Sequence, residues 1–112
     1  MASTTNSEWY VTTAGTNAGA TATKAAATGK THVITSISGF SDKDCSVTAV
    51  DGSTVMAEWL YDISAEFGAA ITYPKWNWQG EWVGTSGAAV SGVLSASTAD
   101  CRITITGYSL PY

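Results

Sequence analysis

Apolar and polar side chains alternate with a period of two along several segments, and this alternation limits the fold more than any other feature. Over residues 101–108, the apolar side chains Cys101, Ile103 and Ile105 fall on one face and polar side chains fall on the other. Successive side chains of a β-strand point to opposite faces, so the pattern predicts a strand with one buried side. Thr and Ile support this prediction because branched Cβ atoms pack well on a pleated surface.

Similar runs recur along the chain and are separated by turn residues. Alternation predicts strands over 33–38 and 55–61, and β-rich composition predicts further strands over 8–13, 21–27, 45–50, 67–73, 81–83 and 89–95. Asp51-Gly52 lies between two runs and is a favoured hairpin turn. We therefore predict an all-β fold, an antiparallel, jelly-roll-like β-sandwich of about eight strands. Residues 8–112 form its single domain, and residues 1–7 form a flexible arm.

Charge is scarce, which excludes several partners. Charged residues make up 12 % of the chain, the formal net charge is −4, and the five Lys and Arg residues are scattered. Phosphate-backbone binding needs clustered cations, so we expect no direct contact with nucleic acid. Anionic membranes are disfavoured for the same reason, and no apolar run of about 18 residues predicts a membrane-spanning helix. No signal peptide is visible, so folding is expected in a cytoplasm.

No set of residues predicts catalysis, a metal site or a cofactor. His32 is the only histidine, whereas a nucleophilic triad or a zinc site needs several partners. We interpret it as a structural residue. A glycosidase pair around Glu58 and Glu81 is a minor alternative to ordinary surface carboxylates. Residues 29–31 resemble the end of a P-loop, but Lys24 stands where that motif requires Gly. The sequence thus predicts a protein that is not an enzyme.

Cys45 and Cys101 lie far apart in sequence and fit no metal or redox spacing. One interpretation is two buried thiols that act as small hydrophobic side chains. The other is a disulfide between strands that are neighbours in space, which requires Cα atoms within about 7 Å.

An aromatic segment over residues 73–82 is the most unusual local feature. It contains Tyr73, Trp76, Trp78 and Trp82, and the three tryptophans share one parity. An extended segment would place them on the same face. They are candidates for buried core, for a contact between subunits, or for an exposed platform that stacks on sugars.

Three segments together resemble a known group of virion proteins. Gly29-Lys30-Thr31-His32 follows a small-residue run and precedes an alternating strand, Gly84-Thr85-Ser86-Gly87 leads into a strand of small apolar residues, and Gly107-Tyr108 closes the pattern. In this order they resemble the capsid decoration, or cement, proteins of tailed bacteriophages. The resemblance covers most of residues 20–108.

This resemblance implies a jelly-roll protein on the outside of the virion capsid that braces neighbouring subunits of the major capsid protein. It also implies a homo-oligomer, with a trimer favoured over a dimer, and no catalytic residues. In the polar arm, Thr4, Thr5, Asn6 and Ser7 are candidate capsid contacts that become ordered on binding. The alternative function is a phage tail or surface module that binds a carbohydrate or receptor through the Trp-rich segment.

Overall fold

The computed structural model describes residues 7–61, 75–97 and 99–112. Within these ranges the chain forms eight strands: β1 Ser7–Gly15, β2 Ala18–Lys24, β3 Thr31–Ser41, β4 Cys45–Asp51, β5 Thr54–Tyr61, β6 Lys75–Val83, β7 Val90–Ser97 and β8 Cys101–Leu110. A search of the same ranges for a helix long and apolar enough to cross a membrane finds none.

The eight strands form two antiparallel sheets. Sheet A has the order β1-β8-β3-β6, and sheet B has the order β2-β7-β4-β5. The predicted antiparallel, jelly-roll-like β-sandwich of about eight strands is therefore confirmed. The strand predicted over 67–73 lies outside the described residues.

The core lies between the sheets and is built from the inner faces of their strands. Cys101, Ile103 and Ile105 of β8 are buried, which confirms the alternation predicted for this strand. They belong to one hydrophobic cluster with side chains from both sheets, among them Ile37 of β3 and Leu94 of β7. Burial of such aliphatic side chains contributes about 1.5–3 kcal/mol each.

A β-bulge interrupts strict alternation in β3 and in β5. In β3 the register shifts between Ile34 and Ser36, so Thr35 is an extra residue and the buried positions fall at Ile34 and Ile37. Strict alternation over residues 33–38 would place Val33 and Ile37 on one face, but the extra residue puts them on opposite faces. In β5 a register shift next to the hairpin turn leaves Val55 58 % exposed, whereas Ala57 and Trp59, with which strict alternation groups it, pack against the core. An extra residue reverses the inside–outside pattern beyond it.

The boundary of the N-terminal arm differs from the prediction, whereas the hairpin turn agrees with it. Ser7, which the sequence assigns to the arm, is the first residue of β1 and pairs with Ser109 of β8. The cross-strand ladder gives its backbone partners that an isolated arm would lack. The remaining arm candidates Thr4, Thr5 and Asn6 lie outside the described residues. The predicted hairpin is present, since β4 ends at Asp51 and Gly52 has the positive φ of 61° that its turn requires.

Candidate functional site

Four tryptophans form one cluster where the edge strands β5 and β6 of the two sheets face each other. Trp59 comes from β5, and Trp76, Trp78 and Trp82 come from β6. The rings of Trp59 and Trp78 are stacked with centroids 4.7 Å apart and an interplanar angle of 3°. Trp76 stacks on Trp78, also at 4.7 Å, and Trp82 meets Trp59 edge-on at 5.4 Å. We call these four residues the tryptophan cluster.

The tryptophan cluster belongs to the interior of the sandwich. Trp76 is buried within the hydrophobic core, and the other three rings are partly buried and pack against it. Trp59 and Trp76 both stack on Trp78, so a sugar that stacked on this ring would compete with these two contacts. Tyr73, the fourth aromatic candidate, lies outside the described residues.

A different aromatic side chain is exposed on the outer face of sheet A. Tyr10 of β1 is 72 % exposed. It lines a groove of about 380 Å³ together with Glu8, Thr35 and Thr106, and Trp9 and Gly107 complete the wall. We call this the Tyr10 groove. It combines one accessible aromatic ring with a carboxylate and two hydroxyl groups, which are the groups that orient a polar ligand in a binding site.

The sequence forms the Tyr10 groove through two local features. Alternation along β1 directs Glu8 and Tyr10 outward, whereas Trp9 packs against the core. The bulge in β3 displaces Thr35, whose hydroxyl donates to the backbone oxygen of Thr106 at 3.2 Å. Bulges often redirect a side chain near a functional site.

Polar groups continue from the Tyr10 groove across sheet A. The hydroxyl of Thr104 donates to that of Thr12 at 2.9 Å. Further along, the Tyr108 hydroxyl donates to Glu81 Oε2 at 2.9 Å, and this hydrogen bond raises the pKa of the Tyr108 phenol above its usual range. The face therefore offers hydroxyl and carboxylate groups over several strands, which suits an extended polar ligand.

The sequence interpretation missed this groove, although a signal for it was present. Glu8-Trp9-Tyr10-Val11-Thr12 alternates, and its outward set contains a carboxylate, a phenol and a hydroxyl. The aromatic residues of 73–82 are a denser signal in the sequence than Tyr10 is.

His32 is buried and hydrogen-bonded at both ring nitrogens, in agreement with its predicted structural role. Its Nε2 lies 2.8 Å from the carbonyl oxygen of Ala25, and its Nδ1 lies 2.6 Å from Ser109 Oγ. A carbonyl can only accept, so Nε2 carries the hydrogen and Nδ1 accepts from the serine hydroxyl. Ser109 Oγ in turn accepts from the indole Nε1 of Trp9 at 3.0 Å.

Cys45 and Cys101 are free, buried thiols. The structure therefore agrees with the interpretation as two buried thiols and contains no disulfide between them. Cys45 lies on β4 in sheet B and Cys101 on β8 in sheet A, so the two side chains approach the core from opposite sheets. Burial raises the pKa of both thiols.

In the part of the chain that the structure describes, no group of three or more metal-ligating side chains is found.

Comparison with known proteins gives one structural likeness. No protein-family model matches the chain, and no curated protein matches it in sequence. Among solved structures, it is similar to the CBM36-1 domain of a multidomain xylanase from the hindgut metagenome of Trinervitermes trinervoides, at 15 % identity and a TM-score of 0.42. The match covers 93 % of this chain and 96 % of that domain. At this identity and TM-score, it says nothing about the ligand of this chain.

Proposed function

We propose that this chain is a non-catalytic module that binds an uncharged polysaccharide across the outer face of sheet A, with Tyr10 as the stacking residue. The observation that carries the proposal is Tyr10 itself, a 72 % exposed ring in a groove lined by Glu8, Thr35 and Thr106. Sugar rings combine apolar C–H faces with hydroxyl groups. An exposed aromatic face beside fixed hydrogen-bonding groups matches both properties.

The charge of the groove favours a neutral ligand. Glu8 is the charged residue among those lining it, and it accepts hydrogen bonds from hydroxyl groups. A polyanionic ligand would meet Glu8 and the net charge of −4, and repulsion between like charges would disfavour it. The hydrogen-bonded hydroxyl groups of Thr12 and Thr104 add polar groups on strands β1 and β8, which also contribute to the groove.

Affinity electrophoresis in gels that contain soluble xylan, β-glucan or mannan tests the proposal, with calorimetry on any polysaccharide that retards the protein. A stacking aromatic that anchors binding is worth about 2 kcal/mol or more, so Tyr10→Ala should weaken binding roughly 30-fold. Tyr10→Phe should retain most of the affinity because the ring remains. Leu60→Ala, at a position on the other sheet that is also highly exposed, is the matched control. Retardation that Tyr10→Ala leaves unchanged would overturn the proposal.

Stabilisation of a phage capsid is the second candidate function, and the outer face of sheet B favours it. Leu60 is 82 % exposed and Val55 58 % exposed. Glu58 is the charged side chain that β5 directs outward beside them. Surfaces depleted of charge and containing exposed apolar side chains are typical of protein–protein contacts.

Light scattering and co-sedimentation with empty capsids test this second candidate. We expect a dimer or trimer that sediments with capsids of the matching phage at a fixed stoichiometry, and Leu60→Glu should abolish that association. A monomer that stays in the supernatant would remove the candidate.

A further inference from the structure

We infer that a second pocket, at the end of the sandwich where β2 ends and β3 begins, binds a small oxyanion of the carboxylate or phosphate type. The pocket has a volume of about 390 Å³. We call it the lysine pocket. It is lined by Ser7, Lys24, Ala25, Ala26, Ala27, Lys30, His32 and Ser109. The Tyr10 groove lies on the outer face of sheet A and shares none of these lining residues, so the inference does not rest on polysaccharide binding. Trp9, which lines the groove, also contacts Ser109 and Lys24 of this pocket.

Charge is the first argument. The chain has five Lys and Arg residues and a net charge of −4, yet two of its cations, Lys24 and Lys30, line this one pocket. None of the described residues that line it is acidic. Two ammonium groups on one concave surface repel each other, and a bound anion removes that repulsion. A compact ammonium group is also well suited to bind a small oxyanion as a point charge.

Backbone contacts hold the two lysines in place. Lys24 is the last residue of β2 and is paired with Val90 of β7. The backbone nitrogen of Lys30 donates to Ala27 at 3.1 Å, and its carbonyl accepts from Gly87 at 2.8 Å. Both main-chain groups of Lys30 are therefore held by hydrogen bonds, so the backbone from which its side chain extends has a defined position. Binding then loses less conformational entropy than it would from a mobile loop.

The floor of the lysine pocket is a buried hydrogen-bond network. Trp9 donates to Ser109, Ser109 donates to His32, and His32 donates to the carbonyl of Ala25. His32 and Ser109 are both buried, and this chain of hydrogen bonds connects β1, β8 and β3 to the wall of the pocket at Ala25. Because both ring nitrogens of His32 have a partner, the floor is held in one arrangement below the two lysines.

Hydroxyl donors lie beside this floor. The register of β1 and β8 places Ser7 directly opposite Ser109. Ser7 is exposed, so its hydroxyl is accessible to a ligand. A hydroxyl and two ammonium groups provide the mixed donor set that carboxylate and phosphate oxygens accept.

Lys24 also connects the pocket to an intrinsic reporter. Its Nζ lies 5.7 Å from the centroid of the Trp9 ring, within the range of a cation–π contact. An anion that draws the ammonium group away from this ring changes the surroundings of the Trp9 indole. The indole N–H of Trp9 should therefore shift in ¹⁵N-correlated NMR spectra when the pocket fills, and Trp9→Phe identifies that signal.

The test is an NMR titration of the full chain with inorganic phosphate and, separately, with acetate, at constant ionic strength maintained by chloride. We expect a saturable shift of the Trp9 indole signal. Saturation by phosphate alone or by acetate alone identifies which oxyanion the site prefers, and either result supports the inference. Lys24→Gln and Lys30→Gln should each raise the dissociation constant about tenfold, since a hydrogen bond to a charged group is lost.

Lys43→Gln is the matched control, because Lys43 is an exposed lysine in the turn between β3 and β4 and its removal changes the net charge equally. It should leave the dissociation constant unchanged. Absence of a saturable shift with both anions would overturn the inference, and so would an equal loss of affinity in Lys43→Gln. Neither result depends on polysaccharide binding, which is measured separately through Tyr10→Ala.

Discussion

Removing one member of the tryptophan cluster should destabilise the whole sandwich. The rings of Trp59 and Trp78 are stacked at 4.7 Å, and each packs against the core from an edge strand of a different sheet. Truncation of a buried Trp to Ala costs about 3–5 kcal/mol, and partial exposure places these two at about 3 kcal/mol each. A domain of this size has a free energy of unfolding of about 5–15 kcal/mol, so either loss is a large fraction of the total.

The stack itself should appear as coupling between the two substitutions. Stacked aromatic pairs contribute about 0.5–1.5 kcal/mol beyond the area they bury, so the double variant Trp59→Ala/Trp78→Ala should cost about 1 kcal/mol less than the sum of the single variants. Urea unfolding followed by circular dichroism measures each free energy. With a slope of about 2 kcal/mol per molar urea, each single substitution should lower the midpoint by about 1.5 M.

Tyr10→Ala is the control for this cycle, because an exposed side chain away from the core should change stability by about 0.5 kcal/mol or less. Leucine replacements keep the cycle measurable if the alanine pair does not fold. If each single substitution lowered the free energy of unfolding by less than about 0.5 kcal/mol, with no coupling, a structural role for the tryptophan cluster would be refuted. The cluster would then be a candidate binding platform.

Three further predictions concern titratable groups. Burial raises the pKa of Cys45 and Cys101, so both thiols should react slowly with a disulfide reagent in the native protein and rapidly in denaturant; immediate labelling of the native protein would contradict this. Because folding raises these pKa values, the thiols do not lower the free energy of unfolding at pH values below the thiol pKa of the unfolded chain, about 8.5. Above that pH the free energy of unfolding should fall, and the urea midpoint should fall with it. Replacing Glu81 by Gln should lower the raised pKa of Tyr108 towards its ordinary value of about 10, measured by phenolate absorbance against Tyr108→Phe; an unchanged titration would show that Glu81 is not its cause.

The sequence predicts the fold class well because β8 alternates without interruption, so each side chain indicates which face is buried. It predicts β3 and β5 less well, because each contains an extra residue that a period-two pattern does not detect. Thr35 shifts the buried positions of β3, and the irregular pairing beside the hairpin turn moves Val55 to the surface. A bulge is set by pairing with neighbouring strands, and such long-range pairing is not visible in the local pattern.

The role of the tryptophan cluster was also harder to predict, because it depends on long-range pairing between strands. The parity of Trp76, Trp78 and Trp82 indicates a shared face, but Trp59, the ring that covers Trp78, lies on a strand of the other sheet. Which strands form the edges, and which edges face each other, depends on the order of strands in the two sheets. Without that order, a cluster that closes the core and one that binds a ligand have the same sequence signal.

The location of the aromatic rings determines where this protein can bind a ligand without loss of stability. All five tryptophans belong to the hydrophobic core or pack against it. A sugar that stacked on Trp78 would have to displace Trp59 or Trp76, at a cost of about 0.5–1.5 kcal/mol for the stack and more for the opened core. A sugar that stacks on Tyr10 displaces only water. Binding and stability should therefore separate, with Tyr10→Ala losing the ligand but not the fold, and Trp78→Ala losing stability.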